Sequence, residues 1–222
     1  MMIGQIRPNY VNNLNTYLKV LEQRNNYLKQ LKNEKINYEL LDIWDEKLAE
    51  YSNKICLYRL EFINKIKDKI NKIHKGITEN KEEIKIEYIT DSLDKNIFKN
   101  QLKDRRKLDI IKGYTTKGAH RDDFNIYINN NLVNVYGSQG QHRTAVLSLK
   151  MSELEIIKEE IGENPILLLD DFMSELDSKR RNNLLNNIKD VQVIITCTDE
   201  IKEEKISKKV FYVNNGIIEI KK

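Results

Sequence analysis

Two short stretches of the 222-residue sequence carry residue types that do chemistry. The first is the apolar run Ile166–Leu169 closed by Asp170 and Asp171. An apolar strand ending in Asp is the pattern that sets a carboxylate beside Mg²⁺ and nucleotide phosphates. An adjacent second carboxylate can orient or deprotonate an attacking water. Neighbouring side chains on a strand point to opposite faces, but where the strand ends the backbone turns and both acids can reach one site. The same pair also fits the start of a solvated loop. A second apolar run, Val191–Asp199, ends in Thr196, Thr198 and Asp199.

The second stretch is Gly137-Ser138-Gln139-Gly140-Gln141, set directly before a helical pattern. Ser138 is a natural N-cap. Two glycines around it imply close approach of something to the backbone. The positive end of a helix, with unpaired N–H groups and a hydroxyl, suits an anion such as phosphate. A well-capped junction between loop and helix accounts for the same residues.

Several elements must position these groups. From Gly140 a helix runs to about Ile161, followed by a strand over Pro165–Asp171, a short helix over Ser178–Asp190 and a strand over Val191–Asp199. Apolar strands alternating with helices indicate an α/β fold with a parallel sheet covered on both faces. Ligands of such sheets bind at the carboxyl ends of the strands. Upstream, Leu14, Leu18, Leu21 and Leu28 share one stripe, and Trp44, Leu48, Tyr51, Ile55, Tyr58, Phe62, Ile66 and Ile70 share another. Two long antiparallel helices, over 10–37 and 40–75 and closed at Gly76, follow from that spacing. Ile84–Thr90 reads as a strand, and Ser92–Gly113 as a helix capped by Ser92 or Asp91. Phe124–Gly137 reads as a hairpin returning through Leu132, Val133 and Val135, and a last hairpin turns at Asn214–Gly216.

Composition narrows the classes. Hydrophobic residues make up 40% and charged residues 32%, with a net charge of +4. This weakly basic balance permits a nucleic-acid partner without pointing to one. Lys103–Lys107 (KDRRK) is a candidate patch for nucleic-acid phosphates, and a solvated helix face accounts for it equally well. Cys56 and Cys197 form no CxxC pair, so neither a zinc site nor a disulfide framework is expected. No apolar run reaches the ~20 residues that span a bilayer. A cytoplasmic protein is the expectation.

Further motifs lie in line with these. Ser174-Glu175-Leu176-Asp177 follows the two acids, and Lys117–Phe124 reads KGAHRDDF. Taken in order, these motifs and the helical start IRPNYVNNLNTYLKVLEQRNNYLK resemble the C-terminal half of the RecF family of recombination and repair proteins. Those are ABC-type ATPases related to the structural-maintenance-of-chromosomes proteins. Ser138–Gln141 resembles the ABC signature, LLLDD the Walker B strand, and SELD the D-loop.

The resemblance implies a partial ABC-type head with a parallel sheet, over 84–222, and a long antiparallel helical arm over 1–83. It implies nucleotide contacts from Ser138, Gln139, Gly140, Gln141 and Asp177, a metal contact from Asp170, and catalytic roles for Asp171 and Thr198. His142 stands where the family usually has Gln. It further implies ATP and Mg²⁺ as cofactors, duplex or gapped DNA as partner, self-dimerisation through ATP, RecO- and RecR-type partners, and a place in DNA replication, repair, recombination and the SOS response. A P-loop is missing: Gly113–Gly118 has the spacing, but Ala119-His120 follows it, not Lys-Ser/Thr. The chain is therefore expected to be one half of an ATPase, inactive alone. Two alternatives remain, a non-enzymatic arm or DNA-binding fragment and a part of another chromosome-type ATPase.

Overall fold

A computed structural model describes residues 2–31, 37–170, 181, 183, 191–198 and 208–220. In chain order the elements are α1 (Met2–Ile6), α2 (Pro8–Gln30), α3 (Tyr38–Thr78), β1 (Ile84–Ile89), α4 (Lys95–Lys112), a 3₁₀ turn (Ala119–Arg121), β2 (Asp123–Ile128), β3 (Asn131–Leu132), α5 (Val133–Tyr136), α6 (Gln139–Ile161), β4 (Leu167–Asp170), β5 (Val193–Thr196), β6 (Phe211–Asn214) and β7 (Ile217–Ile220). The residues divide into two compact units, 1–163 and 164–222. The arm expected over 1–83 supplies α2 and α3, whose side chains share hydrophobic clusters with residues of 84–163.

The long helices form as their pattern requires, with different ends. Pro8 opens α2 at a position where its missing N–H costs nothing. Asn37 caps α3, accepting from the Leu40 N–H. Gly76 does not end α3. Ile77 and Thr78 are buried, and their packing carries the helix past the glycine to a left-handed cap at Glu79, φ 56°. The buried face of α2 is Tyr10, Tyr17, Leu21, Arg24 and Leu28, whereas Leu18 is exposed.

Arg24 lies inside the first unit because acids converge on it. Its Nε donates to Asp45 Oδ1 (2.9 Å), and one terminal nitrogen donates to Asp109 Oδ2 (2.8 Å) and Thr115 Oγ1 (2.7 Å). Arg106 Nε donates to the other Asp45 oxygen at 2.8 Å. This cluster ties α2, α3 and α4 together.

The β1–β2–β3 sheet is antiparallel, and Ile84, Ile86 and Ile128 pack on Phe62, Ile63, Ile66 and Ile70 of α3. Two local expectations are corrected. Asp94, not Ser92 or Asp91, caps α4, accepting from the Ile97 N–H, and Ser92 is buried. The expected return strand through Val133 and Val135 is the short helix α5, entered after only two residues of β3. Val133 is buried there, and this turn of helix leads the chain into α6.

In the second unit β4 and β5 pair in parallel with Leu167 opposite Val193 and Asp170 opposite Thr196. Leu169 is buried, but Leu168 and Ile194, paired on the other face, are exposed. Cover on both faces was expected; among the described residues one face is open. β6 and β7 form the expected closing hairpin over Asn214–Gly216.

Candidate nucleotide-facing site

The α6 N-terminus is a reciprocal cap. Ser138 is extended (φ −67°, ψ 160°), its Oγ accepts from the Gln141 N–H at 3.2 Å, and its own N–H donates to Gln141 Oε1 at 3.0 Å. A Ser with Gln three residues on closes this box and satisfies two otherwise orphaned donors. The cap uses Ser138 Oγ as acceptor, which leaves its O–H proton to donate. Ser138 and Gln139 are exposed. The turn thus offers a hydroxyl donor and helix-end N–H groups from one exposed surface, as an anion site requires.

Gly137 has a local reason. A Cβ there would lie 2.6 Å from the Val133 carbonyl oxygen and 3.2 Å from His142 Cδ2. The close approach at this glycine is therefore the α5 backbone.

Behind the cap runs a polar chain that sequence reading missed. Gln141 Nε2 donates to Glu82 Oε1 (3.0 Å), Glu82 Oε2 faces His74 Nε2 (3.2 Å), and His74 Nδ1 meets Ser148 Oγ (2.9 Å). His74 and Ser148 are fully buried. Both ends of the Gln141 side chain are spent inside the protein. Glu82 sits among charged residues before a strand, and His74 stands alone in its helix. No local spacing marks either one.

In the second unit, Asp170 ends β4 and Thr196 ends β5. The Thr196 hydroxyl donates to Asp170 Oδ1 at 2.5 Å. The bond orients the carboxylate through one of its two oxygens. Mg²⁺ suits such a ligand, since it is commonly held by one or two carboxylates, phosphates and waters. Thr198 is exposed beyond β5. Asp171 and Asp177 lie outside the described residues. Among the described residues no three His, Cys, Asp or Glu side chains cluster in a way that could hold a metal unaided.

The KDRRK patch is smaller than its sequence promised. Arg106 is buried between Asp42 and Asp45, and Lys103 pairs with Asp42. Within KGAHRDDF, Gly118 adopts φ +128°, where a Cβ would also lie 2.5 Å from the Tyr17 hydroxyl. His120 Nε2 donates to the Thr115 carbonyl (3.1 Å), so its Nδ1 accepts from the Tyr17 O–H (2.6 Å). Burial lowers the His120 pKa below its ordinary value and raises that of Tyr17. Asp122 accepts from Tyr88 O–H (2.5 Å), Arg59 (2.8 Å) and the Cys56 thiol (3.2 Å), and burial pushes that thiol up. These residues hold the segment against α2, α3 and β1.

Comparison with known proteins decides the family. The DNA replication and repair protein RecF of Exiguobacterium sp. (strain ATCC BAA-1283 / AT1b) is 45% identical over 232 residues, an alignment spanning 99% of this chain and 62% of the relative. The chain belongs to the RecF family, as its C-terminal portion. RecF of Clostridium perfringens is 46% identical over 226 residues with the same coverage. The chain spans about 62% of the length of these RecF relatives. A solved structure of the recombination mediator protein RecF-ATP in the RecFOR pathway matches with a TM-score of 0.85 at 38% identity, over 100% of this chain and 61% of that one. A companion RecF structure, with ATPγS, matches with a TM-score of 0.84. No family model matches the chain. The helix-rich α/β fold with its parallel β4–β5 pair is that of part of the RecF ABC-type head. Among the described residues no helix is long and apolar enough to cross a membrane.

Proposed function

We propose that this chain supplies the signature, Walker B and D-loop half of a RecF-type ATPase in DNA replication and repair. The observation that carries the reading is the exposed α6 cap, whose Ser138 Oγ accepts from the Gln141 N–H and so keeps its own proton to donate. In this reading Ser138, with the backbone at Gln139 and Gly140, contacts the γ-phosphate of ATP held by the P-loop of an opposing subunit. Asp177 of the D-loop segment contacts the same nucleotide. Asp170, oriented by Thr196, holds Mg²⁺ with the phosphates. Asp171 assists the attacking water, and Thr198 contacts that water or the phosphate. Mg²⁺ supplies charge neutralisation at the phosphates when bound.

ATP then joins two heads into a dimer, and hydrolysis reopens it. Lys and Arg side chains meet duplex or gapped DNA through its phosphates, without reading bases. RecO- and RecR-type proteins complete the loading of recombinase, a reading supported by the RecFOR description of the structural relatives. The open β4–β5 face, with Leu168 68% exposed, suits cover by a P-loop lobe.

The 222 residues hold no P-loop, so the chain alone is expected to hydrolyse little ATP. The test adds a separately expressed P-loop lobe from a RecF relative, with and without duplex DNA, beside an Asp171→Asn version. Activity confined to the mixture and lost with Asp171→Asn supports the reading. Lobes that bind but stay inactive favour a scaffold.

A further inference from the structure

We propose that Glu82, backed by His74, is the positioning residue of the α6 signature turn, holding the Gln141 amide so that the Ser138 hydroxyl is left facing a nucleotide phosphate. This rests on the reading of Ser138 as a phosphate contact.

The polar chain behind the cap closes on itself. Gln141 donates to Glu82, Glu82 faces His74, and His74 meets Ser148 Oγ. Ser148 Oγ donates to the Thr144 carbonyl at 2.8 Å, and Thr144 Oγ1 donates to the Gly140 carbonyl at 2.7 Å. Gly140 and Gln141 are neighbours in the chain, so the circuit returns to its origin. His74, Thr144 and Ser148 are fully buried. A satisfied buried polar network rigidifies what it joins.

The carboxylate decides which way the Gln141 amide points. A carboxamide has a donor end and an acceptor end. With its NH₂ facing Glu82, its oxygen must face the Ser138 N–H. The reverse orientation would set NH₂ against N–H and oxygen against carboxylate. Without Glu82 the amide is free to turn, and with its NH₂ toward the Ser138 N–H the reciprocal bond of the cap is lost, so the turn no longer holds Ser138 in place. Glu82 itself does not compete for the turn, because its second oxygen is committed to His74. The brace reaches from the segment between α3 and β1 to the start of α6, between residues 59 positions apart in sequence.

The test uses the whole chain and two variants. Glu82→Met removes the acceptor at similar length, and Glu82→Gln keeps a carbonyl oxygen that can accept from Gln141. Hydrogen exchange at the Ser138 and Gln141 backbone amides is followed by NMR, with α3 core amides reporting an intact fold. The expected result is exchange about fivefold faster in Glu82→Met, the loss of one cap, with Glu82→Gln near wild type. Wild-type exchange in Glu82→Met overturns the inference, and so does equally fast exchange in both variants. Should Glu82→Met not fold, Glu82→Gln decides alone: slow exchange upholds the brace and fast exchange overturns it.

A second arm reads ATP-dependent association with a RecF P-loop lobe. Weakening by Ser138→Ala and by Glu82→Met, with recovery in Glu82→Gln, upholds both readings. Weakening by Ser138→Ala alone overturns the positioning role. If neither weakens association, the phosphate reading of Ser138 fails.

Discussion

Asp45 shares its two carboxylate oxygens between two guanidinium groups, Arg24 through Oδ1 at 2.9 Å and Arg106 through Oδ2 at 2.8 Å. Arg24 and Asp45 have no solvent exposure, and Arg106 has 8%. Two cations therefore rest on one buried anion, with Asp109 also facing Arg24, and Asp42 shared by Arg106 and Lys103.

Removing the anion should be far more costly than removing a surface pair. Asp45→Ala leaves both guanidinium groups facing a buried space without their shared partner. A loss of about 3–5 kcal/mol is expected. Lys54→Ala, which removes the exposed pair with Glu50 and a contact over the Tyr51 ring, should change stability by about 1 kcal/mol or less. Urea unfolding of the two variants beside wild type checks this. Equal midpoints for the two variants would refute a structural role for the cluster.

The cap and the phosphate contact at Ser138 can be separated by chemistry. Asp is as good an N-cap as Ser, whereas Ala cannot accept the Gln141 N–H. Ser138→Ala should lose about 1 kcal/mol of stability together with ATP-dependent association. Ser138→Asp should keep stability within about 0.5 kcal/mol yet lose association, because a carboxylate repels phosphate and has no proton to donate. Thermal unfolding and association with a P-loop lobe read the two effects. An Asp variant that associates as wild type would reduce Ser138 to a cap.

What the sequence made legible was local. The Ser138 cap, the Gly113 helix end and the existence of strands β4 and β5 follow from neighbours within one turn or one strand. Features built from distant residues were hidden. Arg24 reads as a wet residue, and only Asp45, Asp109 and Thr115, separated from it by 21, 85 and 91 positions, make its burial tolerable. Asn25 is a polar residue in the same helix, and its role, accepting from the Thr115 N–H and O–H, depends on a loop far along the chain. Gly76 shows the opposite failure. A local breaker was overruled by the burial of Ile77 and Thr78. At the site, the type and place of Ser138 were readable, while the Glu82–His74 brace behind it was not.

His120 gives the chain a pH dependence of known sign. Its Nε2–H donates to the Thr115 carbonyl, and its bare Nδ1 accepts from the Tyr17 hydroxyl. Burial holds the ring's pKa below the ordinary value of 6.5. The unfolded chain therefore takes up a proton at higher pH than the folded one. The stability contributed by the neutral ring is fully present above about pH 6.5 and is lost as pH falls below it, towards the folded pKa. Protonating Nδ1 would also set two donors against each other, forcing the Tyr17 hydroxyl to turn away. His120→Gln keeps a polar group but removes the titration. Unfolding free energy measured at pH 7.5 and 5.5 should fall more steeply in wild type than in His120→Gln. Carboxylates such as Asp42 and Glu160, held below their usual range by Arg106 and Lys65, titrate at lower pH and fall outside this window. An identical fall in both proteins would show that His120 titrates alike in the folded and unfolded chains, against the burial argument.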